Sequence, residues 1–119
     1  MTASNGRRRI ALPLTEGRLA DHFGRCEQFV IYQTDPERGS VGPCEMVASP
    51  PHQPGMLPGW LAEKGVDVII ARGMGRRAMR EFESRGIEVV VGATEDHANT
   101  VVLSYLSGEL SSDGNVCDH

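Results

Sequence analysis

The residues of this chain with the greatest capacity for chemistry fall in four places. Asp21-His22-Phe23-Gly24-Arg25-Cys26 brings an imidazole and a thiol within four positions, and both groups ligate soft or borderline metals. Cys117-Asp118-His119 repeats that pair beside a carboxylate. His52 sits in the loop SPPHQPG (49–55), whose prolines restrict the backbone and can hold an imidazole in place. The fourth place is Arg72-Gly73-Met74-Gly75-Arg76-Arg77, between a buried-type strand and a helix start. Backbone N–H groups and the helix dipole attract anions there, two glycines let an anion approach the backbone, and three arginines add positive charge.

Each place also has a plainer reading. A histidine near a glycine is an ordinary surface residue, an exposed loop histidine explains His52 equally well, and the corner glycines also suit tight helix–strand packing. His97, among Glu95, Asp96 and Asn99, reads as solvent-facing. Cys44 lies in a strand-like stretch and reads as a small buried hydrophobe. Three cysteines cannot all pair with one another, which argues for free thiols or metal ligands in a reducing compartment.

What is missing narrows the chemistry. The chain has no GxSxG, no GK[ST] after its glycines and no third glycine for a dinucleotide fingerprint. RIALPL (9–14) carries no carboxylate, against a two-metal nuclease centre. Binding, not catalysis, is therefore the expectation. Net charge is −4, so the overall balance points to neither nucleic acid nor an anionic membrane as partner. No apolar run approaches the ~20 residues of a membrane span, and the polar, basic start has no hydrophobic region of a signal peptide behind it. The expected location is the cytoplasm.

The elements that must position these groups follow from pattern. Residues 1–8 read as a disordered start, 9–108 as one α/β domain, and 109–119 as a polar tail. Arg9–Leu14, Gln28–Thr34 and Val41–Ala48 predict an antiparallel meander, with a turn at Thr15-Glu16-Gly17. The second half repeats itself: WLAEKGVDVIIARG and EFESRGIEVVVGAT each read as helix, glycine stop and parallel-type strand. Helices are predicted over Leu57–Lys64 and Gly75–Arg85, with strands at Val66–Ala71 and Ile87–Val91. A last helix is predicted from an N-cap at Thr94 to Ser107, stopped by Gly108. The sum is a mixed five-stranded sheet flanked by helices.

HFGRCEQFVIY (22–32), PPHQPGMLPGWLAEKGVDVIIARGMGRRA (50–78), FESRGIEVVVGA (82–93) and GNVCDH (114–119) together resemble the dinitrogenase iron–molybdenum cofactor biosynthesis domain family, the NifX/NifB-like group. The resemblance runs from about Ile10 to His119. It implies a ribonuclease H-like fold without nuclease activity, and binding or carriage of an anionic metal–sulfur cluster of iron–sulfur, iron–molybdenum or molybdenum–copper sulfide type. Within the family the chain is similar to small stand-alone members, including the orange proteins with their molybdenum–copper sulfide cluster. A MinD/Mrp-type ATPase is the implied partner. Carried over residue by residue, His22 matches the histidine of the HFGR motif, and 72–77 matches the glycine-rich turn, where the family commonly has glycine at the place of Arg72. Cys26, Cys117 and His119 match only some members. The expected cofactor contacts are thus His22, Arg25, His52, Gly73, Met74, Gly75, Arg76 and Arg77, and the expected metal ligands His22, Cys26, Cys117 and His119. Those last four are also the right set for a closed zinc site, which leaves a zinc-stabilised interaction or regulatory module as the alternative. A scaffold whose ligand site has decayed is a second one.

Overall fold

The computed structural model describes residues 8–35, 37, 39–50, 56–94 and 96–108. Its strands are β1 (Arg8–Thr15), β2 (Arg18–Leu19), β3 (Gln28–Asp35), β4 (Ser40–Ala48), β5 (Val68–Ile70) and β6 (Glu88–Val90); its helices are α1 (Met56–Glu63), α2 (Arg76–Ser84) and α3 (Ala98–Ser107). The main path of the sheet runs β4-β3-β1-β5-β6, with β2 paired to β1. The predicted meander is present: β1 pairs antiparallel with β3, and β3 with β4. β5 and β6 continue the sheet in parallel from β1.

The sheet has six strands, not five. β2 is two residues long, too short to carry a periodic signal, and it is made by the hairpin turn. Glu16 (φ 54°) and Gly17 (φ 79°) both adopt the left-handed conformation, the geometry of a two-residue type I′ turn. Thr15 is thereby set opposite Arg18, and Leu14 opposite Leu19. β2 and β5 share one side of β1, β5 at Ile10 and Ala11 and β2 at Leu14 and Thr15. Pro13 lies in the gap between them, where its missing N–H interrupts no ladder. Arg8, expected in the disordered start, already belongs to β1.

Alternation along the strands sorts the core into two layers. Ala11, Phe29, Ile31 and Ile69 face α1 and α2, meeting Leu57, Leu61 and Phe82; Ile10, Leu12, Val30, Val68 and Ile70 face α3, meeting Val101 and Val102. The two repeated units end alike. Gly65 N–H donates to Ala62 O and Val66 N–H to Leu61 O, while Gly86 N–H donates to Glu83 O and Ile87 N–H to Phe82 O. Both are Schellman stops with a glycine at φ 78° and a buried aliphatic residue after it.

Two further expectations are corrected. α3 begins at Ala98 with His97 as N-cap, not after Thr94. The backbone before it stays extended because Asp96 O accepts from Leu19 N–H (2.8 Å), tying this segment to β2. Cys44, expected inside, is exposed on the edge strand β4, whereas Cys26 is the buried thiol. β4 tolerates this because among the described residues it pairs with β3 alone, and it carries Pro43 with a break in register opposite Tyr32–Thr34.

Candidate functional site at the carboxyl edge of the sheet

β1, β5 and β6 run parallel, so their carboxyl ends lie along one edge. The antiparallel β3 starts at that same edge. Residues 16–27, 71–75, 91–94 and 96–97 therefore converge there, beside the gap where the chain leaves β1 for both sides of the sheet. Ligand sites of open α/β sheets sit at such switch points.

Phe23 fixes the first segment. Residues Phe23–Arg25 form one 3₁₀ turn, and the Phe23 ring, 4% exposed, meets Phe82 edge-on at 5.3 Å and Phe29 at 5.8 Å. All three phenylalanines of the chain are in this cluster, worth roughly 0.5–1.5 kcal/mol per aromatic pair beyond area burial. The Phe23 N–H also donates to Gly73 O (2.9 Å). Two motifs fifty positions apart in the chain are thus joined, and His22 and Arg25 are left exposed on either side of the buried ring.

Arg72 fixes the other segments. Its Nη1 donates to Asp21 Oδ1 (2.9 Å), its Nη2 to Asp96 Oδ1 (2.8 Å) and its Nε to Ala93 O (3.2 Å). Hydrogen bonding to Asp96 raises the Arg72 pKa above its ordinary value, and the same bond lowers that of the Asp96 carboxyl. Around this guanidinium opens a cleft of about 370 Å³ lined by Thr15, Glu16, Arg18, Leu19, Ala20, Asp21, His22, Arg25, Arg72 and Asp96. Arg18 escaped the sequence reading. Its signal, a basic residue just after a Glu-Gly turn, becomes legible only once that turn is known to close a hairpin.

The glycine corner contributes backbone. Met74 is 1% exposed within the core, so the side chain packs and only main-chain atoms are on offer at this position. Gly75 is the N-cap of α2, and a Cβ built there would meet no atom within 4 Å. Close helix–strand packing does not explain this glycine, and open space in front of it does suit a ligand. Arg76 and Arg77, expected beside Arg72, instead line a separate groove on α2 with Arg80, Glu81 and Ser84.

Cys26 is 4% exposed and donates to Ser49 Oγ (3.9 Å), and burial pushes its thiol up to about 11. It is a neutral core thiol in this conformation, away from the cleft that His22 lines. His52, Cys117 and His119 lie outside the described residues. Among the described residues no three histidine, cysteine or carboxylate side chains are grouped to hold a metal ion, and no helix is long and apolar enough to cross a membrane.

This architecture has relatives. An uncharacterized protein of Methanocaldococcus jannaschii, MJ0580, is 34% identical over 107 residues, covering 86% of this chain and 88% of its own. The crystal structure of PH0822 superposes with a TM-score of 0.81 at 30% identity, over 88% of this chain and 94% of that one. The apo form of the orange protein from Desulfovibrio gigas shares the fold, with a TM-score of 0.69 at 22% identity over 91% and 94% of the two chains. Residues 7–108 match the family model described as dinitrogenase iron–molybdenum cofactor, so the HFGR loop and glycine corner joined at Phe23 and Gly73 belong to a NifX-like member of the dinitrogenase iron–molybdenum cofactor family.

Proposed function

We propose that this chain binds and carries an anionic metal–sulfur cluster, of iron–sulfur, iron–molybdenum or molybdenum–copper sulfide type, and performs no catalysis on it. The observation that carries this reading is the cleft at the carboxyl edge. Arg18, Arg25 and Arg72 line it together with His22 and the carboxylates Glu16, Asp21 and Asp96, offering guanidinium donors for an anion and one imidazole that can reach a metal. Among the described residues the donor set suits capture by charge and hydrogen bonds. Gly75 adds an N-cap where no described atom lies within 4 Å of the place a Cβ would take. The ribonuclease H-like kinship, a place in the cytoplasm and delivery to or from a MinD/Mrp-type ATPase belong to the same reading. Family membership supports the class of cargo. The zinc alternative gains no support, since Cys26 is turned into the core.

The test is an ultraviolet–visible spectrum with metal and sulfide analysis on protein purified without oxygen from its native host. Visible bands accompanied by iron, molybdenum or copper and by sulfide are expected. A colourless protein with one zinc, or with no metal, would overturn the reading.

A further inference from the structure

α2 carries its charges in the order a helix disfavours. Arg76 and Arg77 open it, Glu81 and Glu83 stand near its end, and it has no acid in the first turn and no base in the last. The macrodipole favours the reverse at both ends. Arg80 adds to the cost, because it lies three and four positions from Arg77 and Arg76, where like charges repel. Burial does not account for these side chains either. Arg76, Arg77 and Arg80 are all exposed, while Ala78, Met79 and Phe82 turn the other side of the helix to the core. Charges set against the interest of their own helix find their reason in something that meets them from outside.

The space in front of them narrows what that is. Arg76, Arg77, Arg80, Glu81 and Ser84 line a groove of about 550 Å³. All five belong to α2, so among the described residues the groove has a wall on one side only. A small anion finds no enclosure there, whereas a polypeptide laid along the helix meets the arginines in turn. Net charge −4 limits the length of the occupant. A nucleic acid or an anionic membrane would also face the acidic remainder of the chain, and a short acidic segment would not.

We propose that the outer face of α2 is a docking surface for an acidic segment of a partner protein, whose carboxylates sit on Arg77 and Arg80. Guanidinium forks take carboxylates through paired hydrogen bonds. Arg76 makes further interactions of its own, so the seat is assigned to the other two. Arg77 already holds Glu81, but at 3.5 Å and with side chains 81% and 31% exposed, a surface pair that an incoming carboxylate can replace. Glu81 is thus the built-in competitor of the partner. This surface is separate from the cleft and stands whether or not the cleft holds a cluster.

Fluorescence anisotropy of fluorescein-labelled octaglutamate, titrated with the full chain at one fixed ionic strength, tests the proposal. Binding is expected, and Arg77→Gln with Arg80→Gln weakens it at least roughly tenfold. Glu81→Gln removes the competitor and tightens binding about twofold. Arg8→Gln with Lys64→Gln takes away the same charge outside both groove and cleft, and shifts binding by less than about twofold. All of these side chains are exposed or half-buried, and circular dichroism checks that each variant keeps its fold. Equal losses in the two double variants, weaker or unchanged binding in Glu81→Gln, or no binding of octaglutamate would overturn the proposal. So would tighter, equally arginine-dependent binding of octathymidylate or of phosphatidylserine vesicles, which would make this a surface for nucleic acid or for membrane.

Discussion

RGMGRR is one run in the sequence and two surfaces in the fold. Arg72 turns into the cleft, where it holds carboxylates from 51 and 24 positions away. Arg77 lies on the outer side of α2, 81% exposed, and reaches Glu81 one helical turn on, at 3.5 Å. The first arginine ties three separate segments together; the second decorates a helix that would form without it. The difference teaches that charge counted along the chain says little about charge delivered to a site. What separates the two arginines is the N-cap at Gly75, where the backbone changes from extended to helical.

The sharpest way to break this contrast is to remove what anchors the cleft from below. Phe82→Ala deletes a side chain of 0% exposure and the edge-on partner of Phe23, so denaturant unfolding should show a loss of roughly 3–5 kcal/mol. Arg72→Gln comes next. Loss of two charge-assisted bonds to exposed carboxylates is expected to cost about 1–2 kcal/mol, with faster amide exchange at Leu19 and Ala93, whose N–H groups bond near the clamp.

Acid should erase the same clamp. The Arg72 hydrogen bond holds the Asp96 carboxyl below its ordinary range. Its contribution is therefore complete above the unfolded value of about 3.9 and disappears as pH falls through the lower folded value. Melting temperatures recorded below about pH 4 should fall more steeply for the parent chain than for Asp96→Asn. Arg77→Ala closes the series: a pair this exposed predicts a change within about 0.5 kcal/mol by the same unfolding measurement. A change as large as that of Arg72→Gln would erase the distinction between the two surfaces.

The larger elements were legible because their signals are local. The helix–glycine–strand repeat names its own Schellman stops at Gly65 and Gly86, and QFVIYQT (28–34) carries the β-branched and aromatic pattern of a central strand. The hairpin strand Arg18–Leu19 was not legible, since two residues have no period and Glu is not the usual opener of a type I′ turn. Thr94 reads as an N-cap by type, but the backbone of Asp96 is claimed by Leu19 and its carboxylate by Arg72. The cysteines illustrate the same limit. Cys44 has strand-like neighbours and Cys26 a loop, yet an edge position exposes one and the phenylalanine cluster covers the other. At the site, both motifs could be read from residue types. Their meeting at Phe23 and Gly73, and the carboxylates that occupy Arg72, are long-range facts without a local signature.

Among the described residues no strand pairs with the outer side of β4, and Met46 on it is 52% exposed. A bare border of this kind invites stacking of chain upon chain into fibrils. Here Pro43 withholds an N–H midway along the strand, and the break in register at Gly42 bends the remaining groups out of line. A second molecule could align with only short stretches on either side of the proline. The same two residues that make β4 an irregular strand therefore shorten the edge on which a second chain could pair.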